Sequence, residues 1–315
     1  MRLLARSFLL IWFFSLVVAA CQPASTSPPA ATPEQSPTAT GLPLAPSATP
    51  TPPSPAPTPT SIPDTATPLP SPTPFVPVCV LVGGEFVPGQ IETELLPKPL
   101  EFLVYLPPCY EQQAEQSYPV LYLIHGQSYQ QDQWQRLGVG TTLDALILSG
   151  ELPPMLVVMP RDRVWSEPTQ DAFGQAVAEV LVPWIDQAYR TLPERSSRAV
   201  GGLSRGGAWA LHLGLRYSSL FGAVGMHSGF VFHTDSPDLE TLLGSLSPQN
   251  MPRFYMDVSS SDREEIMLSA VWFEAELTHR GIPHEWHIYT GYHDEVYWGA
   301  HVEQYLRWYA QNWDE

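Results

Sequence analysis

The stretch Gly201-Gly202-Leu203-Ser204-Arg205-Gly206-Gly207 decides how this chain is read. Residues 202–206 fit the pattern G-x-S-x-G. An extended apolar run, Arg198-Ala199-Val200, precedes it, and Ala208, Leu211 and Leu215 follow at helical spacing. A strand, a tight turn and a helix in that order form the setting in which a serine hydroxyl is pushed out at the top of a sheet. The flanking glycines fit the same reading, because a strained turn and a close strand–helix crossing need residues without Cβ.

Working outward, the segments around this stretch alternate between strand and helix patterns. Val80 to Leu106 reads as two or three antiparallel strands broken by Gly83-Gly84 and Pro88-Gly89. Buried strands are expected at 120–124, 155–159, 221–226, 254–258 and 285–289. Helices are expected near 142–148, over 171–189 with a possible kink at Pro183, over 264–280, and from about Trp298 to Asn312. This is an α/β pattern: a mostly parallel, doubly wound sheet with antiparallel N-terminal strands and helices on both faces.

In such sheets functional groups collect at the C-terminal ends of the strands. Those ends carry His125-Gly126-Gln127, Ser204, Ser259-Ser260-Ser261-Asp262 and Gly291-Tyr292-His293-Asp294. Serine, acid and histidine thus follow the chain order of α/β hydrolases. Ser204 is the candidate nucleophile, His293 the base that takes its proton, and an acid would fix the imidazole's tautomer. Asp262 is preferred as that acid over Asp257, which lies inside the expected strand and should point at packed helices. The backbone N–H groups of Arg205 and Gln127 are the candidate oxyanion donors. Trp134, Trp165, His227, Tyr292 and Trp298 are candidates for lining a substrate cleft, with core packing as the alternative for the aromatic rings. His125 and His301 read as structural and as exposed on a helix, respectively. The histidines lack metal-ligand spacing, so neither a metal nor another cofactor is expected.

The pieces Tyr122-Leu123-Ile124-His125-Gly126, Gly202-Leu203-Ser204-Arg205-Gly206, Asp262 and Gly291-Tyr292-His293-Asp294 with Trp298 resemble the esterase D family of α/β hydrolases. That family includes S-formylglutathione hydrolases, feruloyl and acetylxylan esterases, enterochelin esterases and mycolyltransferases. The resemblance covers nearly all of residues 95–312. It implies an α/β-hydrolase fold, Ser204, Asp262 and His293 as catalytic residues, and the Gln127 and Arg205 amides as oxyanion hole. One departure is Gln127-Ser128-Tyr129, where many members carry further glycines. A serine carboxylic ester hydrolase acting on a small-molecule or glycan ester is therefore expected. An acyltransferase and a non-catalytic binding module are the alternatives.

The remaining segments concern export. Residues 1–21 combine Arg2 and Arg6 with an apolar run, Phe8 to Val18, that is short for a membrane span and reads as the apolar region of a secretory signal, with an ordinary signal cut nearby or an uncleaved anchor as the alternatives to a lipoprotein signal. The run ends in Val18-Ala19-Ala20-Cys21, which resembles the lipobox of bacterial lipoproteins. That resemblance implies lipidation of Cys21 and a place on the outer face of the cell membrane. Residues 22–78 hold 19 of the 35 prolines and only two charged side chains, Glu34 and Asp64. Such a segment cannot bury enough apolar surface to offset chain entropy, so it reads as a disordered linker. Residues 79–315 form the catalytic domain, with 13 basic against 30 acidic side chains. A field of that sign disfavours nucleic acid as a partner. Cys79 and Cys109 remain as a pair, and an exported domain permits a disulfide between them. Two buried thiols are the alternative.

Overall fold

The computed structural model describes residues 83–311 and residue 313. The expected signal segment 1–21 with Cys21, the linker 22–78 and Cys79 lie outside the described residues. Cys109 is disulfide-bonded.

Eight strands form one sheet. β1 (Glu85–Ile91) and β2 (Leu100–Leu106) are antiparallel, and β2 runs antiparallel to β4 (Leu156–Pro160). β3 (Val120–Ile124), β5 (Arg198–Leu203), β6 (Ala223–His227), β7 (Arg253–Ser261) and β8 (His284–Tyr292) continue it in parallel. The order across the sheet is β1-β2-β4-β3-β5-β6-β7-β8. This is the α/β-hydrolase architecture expected from the sequence. The chain winds outward one way from β3 to β4, then returns to place β5 on the other side of β3. The C-terminal ends of β3 and β5 therefore flank the crevice where such sheets bind ligands.

Both faces of the sheet are covered, which is why β3, β4 and β5 read as unbroken buried runs. Alternate side chains go to opposite layers. Leu121 and Leu123 pack with Leu143 of α2 (Val139–Leu148) and with Tyr305 and Tyr309 of α8 (Glu295–Tyr309). Tyr122 and Ile124 pack on the other face with Trp209 and Leu213 of α5 (Arg205–Arg216) and Phe273 of α7 (Glu264–His279). α1 (Gln133–Arg136) and α6 (Leu239–Ser245), both short, were not anticipated from the sequence.

The helix expected over 171–189 is divided. α3 (Phe173–Ala176) and α4 (Val182–Ala188) are joined by a π-helical turn, Val177–Leu181. Pro183 explains the division: its ring clashes with the carbonyl four residues back, Glu179, and has no N–H to offer it. The wider turn accommodates both effects within a continuous helical path. β7 and β8 run several residues beyond their expected ends. Ser259 pairs with Tyr289 and, past a register shift, Ser261 with Tyr292. Asp262 thus follows the strand directly rather than after a loop of serines. α8 begins at Glu295, ahead of the expected Trp298, because the Asp294 side chain accepts the N–H of Tyr297 as an N-cap.

Candidate active site

β5 ends at Leu203 and leads directly into Ser204, whose backbone holds φ 54° and ψ −122°. A positive φ in a side-chain-bearing residue marks a strained turn held by its surroundings. Two close approaches hold it. A Cβ on Gly202 would collide with the Gly206 backbone, and one on Gly206 would collide with the Ile124 carbonyl at the end of β3. The Ser204 N–H donates to the His227 carbonyl at 2.8 Å, fixing the turn to β6.

His293 follows β8 and sits against Ser204. Its Nε2 lies 2.9 Å from Ser204 Oγ, and its Nδ1 lies 2.7 Å from Asp262 Oδ1. A carboxylate only accepts, so Nδ1 carries the proton and Nε2 is free to accept from the serine hydroxyl. The Asp262 side chain is fully shielded from solvent. It also accepts the Arg263 N–H at 2.8 Å and the Ser259 hydroxyl at 3.1 Å. Burial opposes its ionisation, but the hydrogen bond and charge of His293 and the Arg263 amide outweigh that and hold it below the usual carboxylate range. The Trp298 ring meets His293 edge-on, with ring centres 4.9 Å apart.

The structure thus brings Ser204, Asp262 and His293 together, on the ends of β5, β7 and β8. Ser204, His293, Trp298 and Gln127 line one cavity of about 460 Å³. Gln127 belongs to the loop after β3, whose turn is closed by Tyr129 N–H donating to the Gly126 carbonyl and by Ser128 at φ 70°. Gln133 Oε1 accepts the Gly126 N–H from the side of α1. The Arg205 N–H is the first amide of α5 and has no acceptor within the helix.

Other expected cleft residues lie elsewhere. Trp134 is buried and donates its indole N–H to the Ile124 carbonyl at 3.0 Å, so it packs the core and does not line a cleft. His227 is also fully buried. Its Nδ1 meets Asp257 Oδ1 at 2.7 Å and its Nε2 meets the Tyr309 hydroxyl at 2.9 Å. Both expectations are corrected for the same reason: α1 turns Trp134 inward and α8 closes over it and His227 on this face of the sheet. Asp257 accepts in addition from the Tyr297 and Tyr305 hydroxyls, at 2.6 and 2.9 Å. Burial, then the Asp257 charge, pushes both phenols well above their ordinary range. Tyr292 is exposed and lines neither the cavity at Ser204 nor the one beside it. Trp165 lines that second cavity, of about 400 Å³, away from Ser204. His301 is half-buried and stacks on Tyr289, where an exposed position was expected.

Three groups escaped the sequence reading. The Arg205 guanidinium is buried, its Nε 2.7 Å from Asp162 Oδ2. Asp162 follows β4; the same oxygen accepts from Trp209 Nε1 at 2.9 Å, and its N–H donates to His125 Nε2 at 3.0 Å. His125 therefore carries its proton on Nδ1 and donates it to the Gly126 carbonyl. Burial lowers its pKa and keeps the ring neutral. The third group is Asp171. Its Oδ1 accepts the Phe173 N–H at 3.0 Å, but its Oδ2 has no hydrogen-bond partner and lies 3.9 Å from Arg205 Nη2. The sequence held one signal for these groups: an arginine next to the elbow serine must turn inward, and a buried guanidinium needs a carboxylate.

Comparison with known proteins fits this geometry. Residues 93–309 match the model of a protein family described as "Putative esterase". The chain belongs to this esterase family. It is 33% identical over 137 residues to an endo-1,4-beta-xylanase/feruloyl esterase of Xylanibacter ruminicola, covering 40% of this chain and 19% of that protein. It is 34% identical over 136 residues to esterase Rv1288 of Mycobacterium tuberculosis, covering 40% of this chain and 28% of that protein. The chain thus spans less than a third of the length of these two relatives. Among solved structures, a ferulic acid esterase superposes with a TM-score of 0.64 at 24% identity, over 73% of this chain and 99% of that one. The S-formylglutathione hydrolase of Staphylococcus aureus superposes with a TM-score of 0.58 at 15% identity, over 73% and 100%. Both share the fold.

Burial pushes the Asp171 carboxyl up from 3.8 to about 6. The folded state therefore holds an extra proton between those values, and stability falls as pH rises through that window. A shift of about two units corresponds to roughly 3 kcal/mol. Asp171→Asn removes the titration, so its stability relative to the parent should rise by up to roughly 3 kcal/mol from about pH 4 to about pH 7 in urea unfolding. Parallel pH profiles for the two proteins would show that Asp171 ionises freely in the fold.

Proposed function

We propose that this protein is a carboxylic ester hydrolase that works through an acyl-enzyme on Ser204. The observation that carries the reading is His293, which bridges Ser204 Oγ at 2.9 Å and Asp262 at 2.7 Å. As Oγ attacks the ester carbonyl, its proton passes to Nε2, and the imidazolium is held by the Asp262 charge. The carbonyl oxygen becomes an oxyanion that accepts from the N–H groups of Arg205 and Gln127. The C–O bond to the alcohol breaks as His293 returns the proton to the leaving oxygen. Water then repeats the sequence on the acyl-enzyme, releasing the acid and restoring Ser204.

For the substrate we propose a hydroxycinnamoyl ester of a glycan. The supporting likenesses are to proteins named feruloyl esterase and ferulic acid esterase. The cavity beside Ser204 combines apolar walls at Phe230, Val231 and Ile266 with polar groups such as His233 and Ser269. Such a mixture suits an aromatic acyl group bearing a few oxygens. The sequence of residues 1–78 supports export and a lipid anchor at Cys21, with the catalytic domain held off the membrane by the proline-rich segment.

Ser204 should react with a fluorophosphonate probe, and Ser204→Ala should lose both labelling and hydrolysis of feruloyl and p-nitrophenyl esters. Asp262→Asn should lower kcat by up to about 10⁴ with the fold intact. Asp257→Asn should act mainly on stability, because it disrupts a buried network. Equal labelling of Ser204→Ala, or the reverse pattern for the two aspartates, would contradict the assignment. Anchoring is read separately: fatty-acid labelling of cells making the full chain should mark the protein and fail for Cys21→Ser. A labelled Cys21→Ser, or an unlabelled parent, would refute the anchor.

A further inference from the structure

The chain contains a single lysine, Lys98. It is exposed and forms no ion pair or hydrogen bond among the described residues. It lines the second cavity, beside the one at Ser204, and Arg161 and Arg163 line that cavity with it. Three of the domain's 13 basic side chains therefore meet at one small cavity, although 30 acidic side chains set the sign of the domain's field. The carboxylates nearby do not cancel them. Glu101 is shared between Arg161 and Arg163, so one negative charge serves two guanidinium groups. Its carboxyl is held below the usual range by the Arg161 hydrogen bond first and the Arg163 charge next. Asp162 and Asp171 also line the cavity, but both side chains are almost wholly buried and face Arg205. Arg161 and Arg163 keep 24% and 27% of their side chains exposed, so an entering ligand can reach them. Like charges gathered without a full set of counter-charges repel one another, and an anion among them relieves that repulsion.

The other walls select the kind of anion. Leu96, Pro97, Pro99 and Val164 are apolar, and the Trp165 ring is 57% exposed. A small inorganic anion would use the cations and leave these walls unused. An amphiphilic anion with a flat ring uses both, through charge-assisted hydrogen bonds at one end and apolar contact at the other. We propose that this cavity binds an aryl carboxylate, its anionic end held by Lys98, Arg161 and Arg163 and its ring lying on Trp165. The acid released from a hydroxycinnamoyl ester has this form, so the site holds the protein's own product. That identity rests on the ester hydrolase reading; binding in the cavity does not. Ser128 and Tyr129 wall both cavities and directly follow Gln127, the candidate oxyanion donor. An occupant of the second cavity thus bears on the loop that carries the donor, and lowers turnover without displacing the ester.

The test has two arms, both on the full chain. In the first, ferulate and coniferyl alcohol, the same ring with and without a carboxylate, are titrated calorimetrically into the Ser204→Ala protein. Adding either Lys98→Ala or Trp165→Ala should weaken ferulate binding about tenfold. Coniferyl alcohol should bind more weakly than ferulate and be indifferent to Lys98→Ala. Both side chains are exposed, so they can be removed without loss of core. In the second arm, ferulate inhibits hydrolysis of p-nitrophenyl acetate by the parent protein. Part of the inhibition should persist at saturating ester as a fall in kcat. Lys98→Ala should weaken that part about tenfold and leave the competitive part, which arises at Ser204. Absence of ferulate binding, binding indifferent to either substitution, or inhibition that saturating ester abolishes would overturn the site. So would binding lost on Arg263→Ala, in the wall of the catalytic cavity, in place of Lys98→Ala. Binding that obeys the first arm in a parent protein that hydrolyses neither p-nitrophenyl acetate nor methyl ferulate would support the site and remove the hydrolase reading instead.

Discussion

The Arg205 guanidinium is buried one residue after the elbow serine, and the structure around the site is arranged to keep it satisfied. A guanidinium cannot shed its proton, so its burial requires an anion and a full set of acceptors. Asp162 supplies the anion, and the carbonyls of Val164 and Ser166 accept from Nη2 at 3.0 and 2.5 Å. Asp162 is in turn held by Trp209 from α5 and linked through its own N–H to His125. One ion pair therefore ties the ends of β3 and β4 to the start of α5. Those three ends carry the Gln127 loop, the wall of the second cavity and Ser204. Breaking a buried pair of this kind by removing one partner costs about 3–5 kcal/mol, because it leaves the other charge uncompensated.

A second buried network does the corresponding work on the other face. Asp257, His227, Tyr297, Tyr305 and Tyr309 form one hydrogen-bonded cluster between β6, β7 and α8. Gly201 and Gly225, paired across β5 and β6, leave the space that the Tyr309 hydroxyl occupies. The cluster fixes α8 along its length through Tyr297, Tyr305 and Tyr309, and the same helix carries Trp298 against His293. Asp257 is committed to this cluster and Asp262 to His293, so two acids five residues apart have separate tasks. The strand geometry separates them: Asp257 points into a packed layer, whereas Asp262 follows the register shift at the end of β7.

Much of this was legible in the sequence because it follows from short-range rules. The buried apolar runs gave β3, β4 and β5, and the glycines around Ser204 marked a close crossing that the structure contains. The order Ser204, Asp262, His293 selected three residues that lie within hydrogen-bonding distance. What was not legible depends on long-range packing. Trp134 and His227 follow strands, where an exposed cleft was the natural expectation, but Trp134 lies on α1 with its ring turned inward against His227 and Tyr305, and α8 packs over both. Pro183 signalled a kink, and the response of the helix, a π turn rather than a bend, depends on what it packs against. The partners of Arg205 lie 43 residues away at Asp162 and, somewhat nearer in sequence, at Asp171. No periodicity connects such positions. The proline-rich segment 22–78, proposed as a tether, lies outside the described residues, and its reading rests on the sequence alone.

The central claim is that Ser204 carries the acyl group. Rapid mixing of the full chain with p-nitrophenyl acetate, quenched in acid and followed by peptide mass spectrometry, tests it directly. The account predicts a burst of p-nitrophenol close to one equivalent per enzyme if deacylation is the slower step. In either case, the acetyl group should be found on the peptide bearing Ser204. Steady turnover with no acetylated Ser204, or the acetyl group on another residue, would contradict it.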